Sequence, residues 1–151
     1  VTVWLDASIV MSVVAVETTS SAVDRALTRT TGALLVSDFC VAETSSAIAR
    51  LVRVGEKSPL EAAHLYEELD AWVADLAERR NIEPEDVALA TDFVRDPRLS
   101  LRAPDAIHIA AANRLGATLL TLDKGMARAA DALGVSYLNP AEAEASGEPK
   151  D

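Results

Sequence analysis

A chain of 151 residues, 50% of them hydrophobic, is the size of one ordinary domain and can bury a core of its own. No apolar run approaches the ~20 residues of a membrane helix, and no basic segment precedes an apolar stretch at the start, so neither a membrane partner nor a signal peptide is expected. A formal net charge of −10 speaks against a nucleic-acid partner unless bound metal neutralises several acids or the 14 Lys and Arg residues cluster, as Arg95, Arg98 and Arg102 do in sequence, and Arg50, Arg53 and Lys57.

Val1 to Leu5 is short, apolar and β-branched, which predicts a strand stopping at Asp6. An apolar run over Ile9–Val16 predicts a helix capped by Ser8, and Ser20–Arg29 a second helix. Ala33–Val36 follows as a buried strand. Phe39–Val54 is a predicted helix, with Asp38 as its N-cap and Gly55 as its stop. Ser58-Pro59-Leu60-Glu61 is a capping box with proline at the first helical position, opening a helix to about Ala77. Arg79–Glu83 is read as a short strand, and Pro84–Arg95 as a helix ended by Asp96-Pro97. Ala103–Leu115 is a helix with Gly116 after it, Thr118–Leu122 a strand, Gly125–Leu133 a helix closed by Gly134, and Val135–Leu138 the last strand. The division is then a domain over 1–138 and a polar, frayed tail over 139–151. Strands alternating with helices imply an α/β fold with a mostly parallel sheet, whose ligand crevice lies beyond the carboxyl ends of the strands.

Two acids stand at such ends. Asp6 follows the first strand directly, and Asp123 follows Thr118–Leu122 in the same way. Each can serve simply as an N-cap, although Ser8 is available to cap the first helix. Glu43 falls on a helical stripe with Ala47, Leu51 and Val54, on or beside an apolar face, where an ionised group is costly unless paired or bound to metal; a place near the helix N-terminus offers it a milder explanation. Asp105 is the strongest signal, because Ala103 to Ala112 is apolar almost all round and a helix of that kind is buried. The helix dipole offers a carboxylate there ~0.3–1 kcal/mol, up to ~2, against several kcal/mol for burying an ion. His108 shares its face; it is read as a core histidine hydrogen-bonded inside the fold rather than as a metal ligand or general base. His64, among Glu61, Glu67 and Glu68, reads as a surface residue.

Four carboxylates gathered without compensation would raise one another's pKa values. Oxygen-only ligands select Mg²⁺, Mn²⁺ or Ca²⁺ over zinc, and no zinc-type Cys/His spacing exists. Cys40, the single cysteine, is read as a small buried hydrophobe; with no internal disulfide available it fits a cytoplasmic setting. A Mg²⁺ or Mn²⁺ site polarises phosphoryl oxygens and acidifies water, which are the needs of phosphodiester hydrolysis. Ser8 and Thr121 flank the strand-end acids and can position water or a carboxylate, or act only as cap and strand residue.

The order of these residues resembles the PIN domain, and within it the VapC-type toxins of toxin–antitoxin pairs. Leu5-Asp6-Ala7-Ser8 resembles the family's first strand and acid, and Val36 to Glu43 the segment leading to its helical glutamate. Leu101 to Ala112 resembles its most recognisable stretch, and Leu120-Thr121-Leu122-Asp123 the final strand and fourth acid. The resemblance implies a PIN-like, Rossmann-like three-layer fold, with a sheet of four or five mostly parallel strands flanked by helices. It implies a Mg²⁺- or Mn²⁺-dependent endoribonuclease with Asp6, Glu43, Asp105 and Asp123 as catalytic and metal-holding residues. It also implies an RNA substrate, a homodimer and a cognate antitoxin covering the cleft. A PIN-type nuclease of RNA processing without an antitoxin, and a non-catalytic α/β interaction module with the acids as caps, remain alternatives. A haloacid-dehalogenase-type phosphatase would need a second Asp where Ser8 stands.

Overall fold

The computed structural model describes residues 1–146. In chain order the elements are β1 (Val3–Leu5), α1 (Ala7–Val14), α2 (Ser20–Arg29), β2 (Leu34–Ser37), α3 (Asp38–Arg53), α4 (Pro59–Leu76), β3 (Glu78–Arg80), α5 (Pro84–Arg95), α6 (Ala103–Leu115), β4 (Thr118–Leu120), α7 (Lys124–Ala132), β5 (Tyr137–Leu138) and α8 (Pro140–Ala145). The five strands form one parallel sheet in the order β3-β2-β1-β4-β5. The chain leaves β1 for β2 on one side and later returns to β4 on the other, so the β1/β4 boundary is the topological switch point. The α/β, mostly parallel expectation holds, and every pairing is parallel.

Strand residues alternate between two cores, as the pleat requires. Val3, Leu5, Val36 and Leu120 join Ile9, Val10, Ile48, Leu69 and Val73 on the face covered by α1 to α4. Trp4, Leu35 and Leu119 join Ile109, Ala111, Ala112, Met126 and Ala130 on the face covered by α6 and α7. Burial on both faces explains why these strands read as short continuous apolar runs. Helix α6 can lie deep because Ala106, Ala110, Ala111 and Ala112 are fully buried and small, and α5 packs against it through Ala90. It ends where Gly116 turns into the left-handed region at φ 59°.

Three expectations are corrected at helix starts and at the end of the chain. Helix α1 begins at Ala7, and its cap is Asp6, not Ser8: the Asp6 carboxylate accepts the Ile9 N–H at 3.1 Å. Helix α3 is capped by Ser37, whose hydroxyl accepts the Cys40 N–H at 3.0 Å, while Asp38 is already helical and turns outward to pair with Arg79. The segment after 138 is not frayed in its described part. Asn139 is buried, caps α8 through the Ala141 N–H and donates to the Leu122 carbonyl, and Arg25 of α2 binds Glu144. The remainder of the expected tail, 147–151, lies outside the described residues. No helix among the described residues is long and apolar enough to cross a membrane.

Candidate active site

The carboxyl ends of β1 and β4 place Asp6 and Asp123 on one rim, at the switch point. Strand β4 stops at Leu120, shorter than the expected Thr118–Leu122, because side chains take over its backbone. The Leu122 N–H donates to Ser8 Oγ at 3.0 Å, and the Asp123 N–H donates to Thr121 Oγ1 at 3.0 Å. Both hydroxyls then donate onward to Asp6: Ser8 to Oδ1 and Thr121 to Oδ2, each at 2.6 Å. Oδ1 thus accepts two hydrogen bonds, counting the Ile9 N–H, and Oδ2 one. A carboxylate has about four acceptor sites, so one remains on Oδ2. Asp6 is 2% exposed. Burial raises its pKa, and the hydrogen bonds from Ser8, Thr121 and Ile9 work in the opposite direction.

Asp123 caps α7, accepting the Met126 N–H at 2.8 Å through Oδ1. The cap of each strand-end acid is therefore real, and it leaves oxygens over for other work. Gly125 lies close to this cap: a Cβ there would lie 3.1 Å from Asp123 Oδ1, and the carboxylate would have to give by a few tenths of an ångström.

Asp105 sits in the first turn of α6, with 18% of its side chain exposed. Its pKa is raised, by burial first, then by the carboxylates of Asp123 and Glu43, against the opposing charge of Arg102, whose Nε is 3.6 Å away. Asp105 is thus within reach of the charges of both Asp123 and Glu43.

Glu43 stands beside the buried stripe of α3, which runs through Cys40, Thr44 and Ile48 and not through the expected positions 47, 51 and 54; Val54 is half exposed. Glu43 Oε1 meets His108 Nε2 at 2.5 Å. His108 is 1% exposed and is a core histidine as expected, with Nδ1 2.9 Å from Trp4 Nε1. The sequence reading did not single out Trp4, since the contact spans 104 residues. Cys40 is fully buried, and burial, reinforced by Asp6 and Glu43, pushes its thiol well above its ordinary pKa, so it is no thiolate ligand.

Among the described residues, no three Asp, Glu, His or Cys side chains stand close enough together to hold a metal ion between them. The donor set still fits a hard cation. It is oxygen only, Asp105 has its proton affinity raised by burial and by Asp123 and Glu43, and Mg²⁺ is commonly held by one or two carboxylates with waters completing the shell. Beside Asp123 opens a groove of about 270 Å³ lined by Arg98, Ser100, Gly125 and Arg128. A larger cavity, about 340 Å³, lies elsewhere, between α2 and α8, and touches none of these acids.

The model of the PIN domain family matches residues 3–132. No curated protein matches the chain by sequence. Among solved structures, FitAcB from Neisseria gonorrhoeae is similar, with TM-score 0.72 and 20% identity over 91% of this chain and 97% of that one. VapC20 from Mycobacterium tuberculosis, described as a sarcin–ricin loop cleaving toxin, gives TM-score 0.68 and 14% identity over 84% and 94% of the two chains. VapBC2 from Rickettsia felis, bound to a fragment of its promoter DNA, gives 0.66 and 11% over 92% and 98%. At these identities the structures speak for the fold. The family match covers most of the chain, including both strand-end acids, Asp6 and Asp123, and it decides the rest: the chain belongs to the PIN-domain family.

Proposed function

We propose that this protein is a Mg²⁺- or Mn²⁺-dependent endoribonuclease and the toxin of a toxin–antitoxin pair. PIN domains are nucleases. The observation that supports the reading is that hydrogen bonds through Thr121 tie Asp6 to the backbone of Asp123 at the switch point, while Glu43 binds His108, three residues after Asp105 on α6. When bound, a divalent cation there offsets the carboxylate charge, polarises a phosphoryl oxygen and makes water more acidic. Asp6, Glu43, Asp105 and Asp123 would hold it, directly or through water. Ser8 and Thr121 hold Asp6 in place and couple it to the backbone before Asp123. Hydrolysis would join a water oxygen to phosphorus, the water giving up a proton to solvent, while one P–O bond of the RNA backbone breaks and the departing ribose oxygen takes a proton from solvent.

Single-stranded RNA as substrate is supported by the sarcin–ricin loop cleavage given for VapC20, and by Arg102 and the groove of Arg98 and Arg128 at the edge of the cleft. An antitoxin partner is supported by the similar toxin–antitoxin complexes, including one from Klebsiella pneumoniae. A homodimer is part of the same proposal.

Asp105→Asn keeps the shape of the side chain and removes its charge. The expected outcome is loss of Mn²⁺-dependent RNA cleavage and of growth inhibition, with the fold retained by circular dichroism. Undiminished cleavage by that variant would refute the assignment.

A further inference from the structure

Trp4 lies in the middle of β1, at the centre of the sheet, with no exposed surface. Its indole Nε1 is 2.9 Å from His108 Nδ1. An indole nitrogen donates and never accepts. Nδ1 must therefore be the acceptor, and the imidazole proton belongs on Nε2. That nitrogen lies 2.5 Å from Glu43 Oε1, and the carboxylate accepts. Two hydrogen bonds thus run in one direction, indole to imidazole to carboxylate, and which imidazole nitrogen carries the proton is set by what the other one accepts. The ring has little room to turn: Phe39 packs on it with centroids 5.7 Å apart, and Trp4 meets it edge-on at 6.2 Å.

We infer that Trp4, acting through His108, is a positioning residue for Glu43. It fixes the imidazole tautomer that offers a donor to Oε1, so that this oxygen is committed to the protein and Oε2 is left for a cation. The inference rests on Glu43 belonging to the cation site proposed above. It also accounts for a polar imidazole in a helix face otherwise built of Ile109, Ala111 and Ala112: removing either end would leave a buried donor or acceptor without a partner. Substituting the hydrogen-bonded support of a metal ligand commonly costs about 10- to 100-fold in affinity or activity.

The test uses the full chain and calorimetric titration with Mn²⁺. Trp4→Phe keeps an aromatic ring and deletes the N–H; His108→Leu deletes the relay; His108→Gln keeps an N–H donor near Glu43. Trp4→Phe and His108→Leu are expected to weaken Mn²⁺ binding by about 10-fold or more, with His108→Gln falling between His108→Leu and the parent. In a Glu43→Gln background, Trp4→Phe should add nothing, because its effect travels through Glu43. An equal loss in both backgrounds, or full affinity in Trp4→Phe, overturns the inference. Nitrogen-15 NMR of the unsubstituted protein needs no variant to fold: the histidine pair expected is protonated Nε2 with bare Nδ1, and a protonated Nδ1 overturns the relay. Absence of Mn²⁺ binding by the unsubstituted protein would instead overturn the proposed function, and the NMR result would still decide the relay.

Discussion

Asp6 and Asp105 differ in how they tolerate their charge. Asp6 is buried more deeply, yet three donors converge on it, from Ser8, Thr121 and the Ile9 backbone. Asp105 has the exposed Arg102, 3.6 Å away, to set against Asp123 and Glu43. Both have pKa values raised on folding, so between the unfolded value, about 3.9 for aspartate, and the raised folded value the native state binds more protons than the unfolded one. Stability then falls as pH rises through that window and stays lower above it. The metal-free Asp105→Asn protein is expected to be more stable than its parent at neutral pH, the gap closing below about pH 4. Adding Mn²⁺ should stabilise the parent by mass action and the variant far less. Urea denaturation across pH, in chelator and in Mn²⁺, measures both effects. A parent that is more stable than the variant at neutral pH without metal contradicts the electrostatic account of the cleft.

At the scale of elements, what positions the acids is the way each helix begins. Ser37 caps α3, the helix that carries Glu43, whereas the Asp38 to Arg79 pair is solvent-exposed on both sides. Ser37→Ala should cost about 1 kcal/mol of stability; Asp38→Ala should cost less, since exposed ion pairs contribute about 0–1 kcal/mol. Thermal denaturation of the two variants ranks them, and the reverse ranking would return the cap to Asp38. Helix α6 is held by a different device: Arg114 near its end forms a two-pronged pair with Asp86, at 2.8 and 2.9 Å, and Asp86, 1% exposed, also receives the Glu83 N–H in a capping box at the start of α5. Arg114→Met leaves that carboxylate buried without its cation, which should cost about 3 kcal/mol; a change under about 1 kcal/mol in urea unfolding would show the pair to be ornamental. Local sequence announced much of this. The capping box at Ser58, the buried all-round apolar helix from Ala103, and the glycine after it are local signals with local physical causes, and each was found where expected. Long-range partners are not local signals. Nothing near Trp4 points to His108, nothing near Asp86 points to Arg114, and the choice of Ser37 over Asp38 depends on Arg79 arriving from β3 to draw Asp38 outward. The early end of β4 has the same origin, because Ser8 reaches it from the other side of the switch point.

For the whole molecule the question is how a chain of net charge −10 would hold a polyanion. The charge is not spread evenly around the cleft. Arg102 leans on Asp105, Arg98 and Arg128 line the same groove as Gly125, and Lys124 follows Asp123 directly. Arg98 is tied to Asp96, while Arg128 and Lys124 have no carboxylate within 4.0 Å among the described residues, so they are the rim cations with most charge to offer. Arg25, by contrast, lies on α2 and is bound to Glu144 of α8. Each phosphate contact on a single strand contributes about 0.7 to the slope of log affinity against log salt concentration. In the Asp105→Asn background, where cutting is expected to be lost, Arg128→Ala should weaken single-stranded RNA binding and flatten that slope by about 0.7, and Lys124→Ala should act in the same direction. Arg25→Ala should leave the slope alone. Fluorescence anisotropy over a series of KCl concentrations reads all three. If Arg25→Ala flattens the slope as much as Arg128→Ala does, RNA is held by diffuse charge and not along the rim of the acidic cleft.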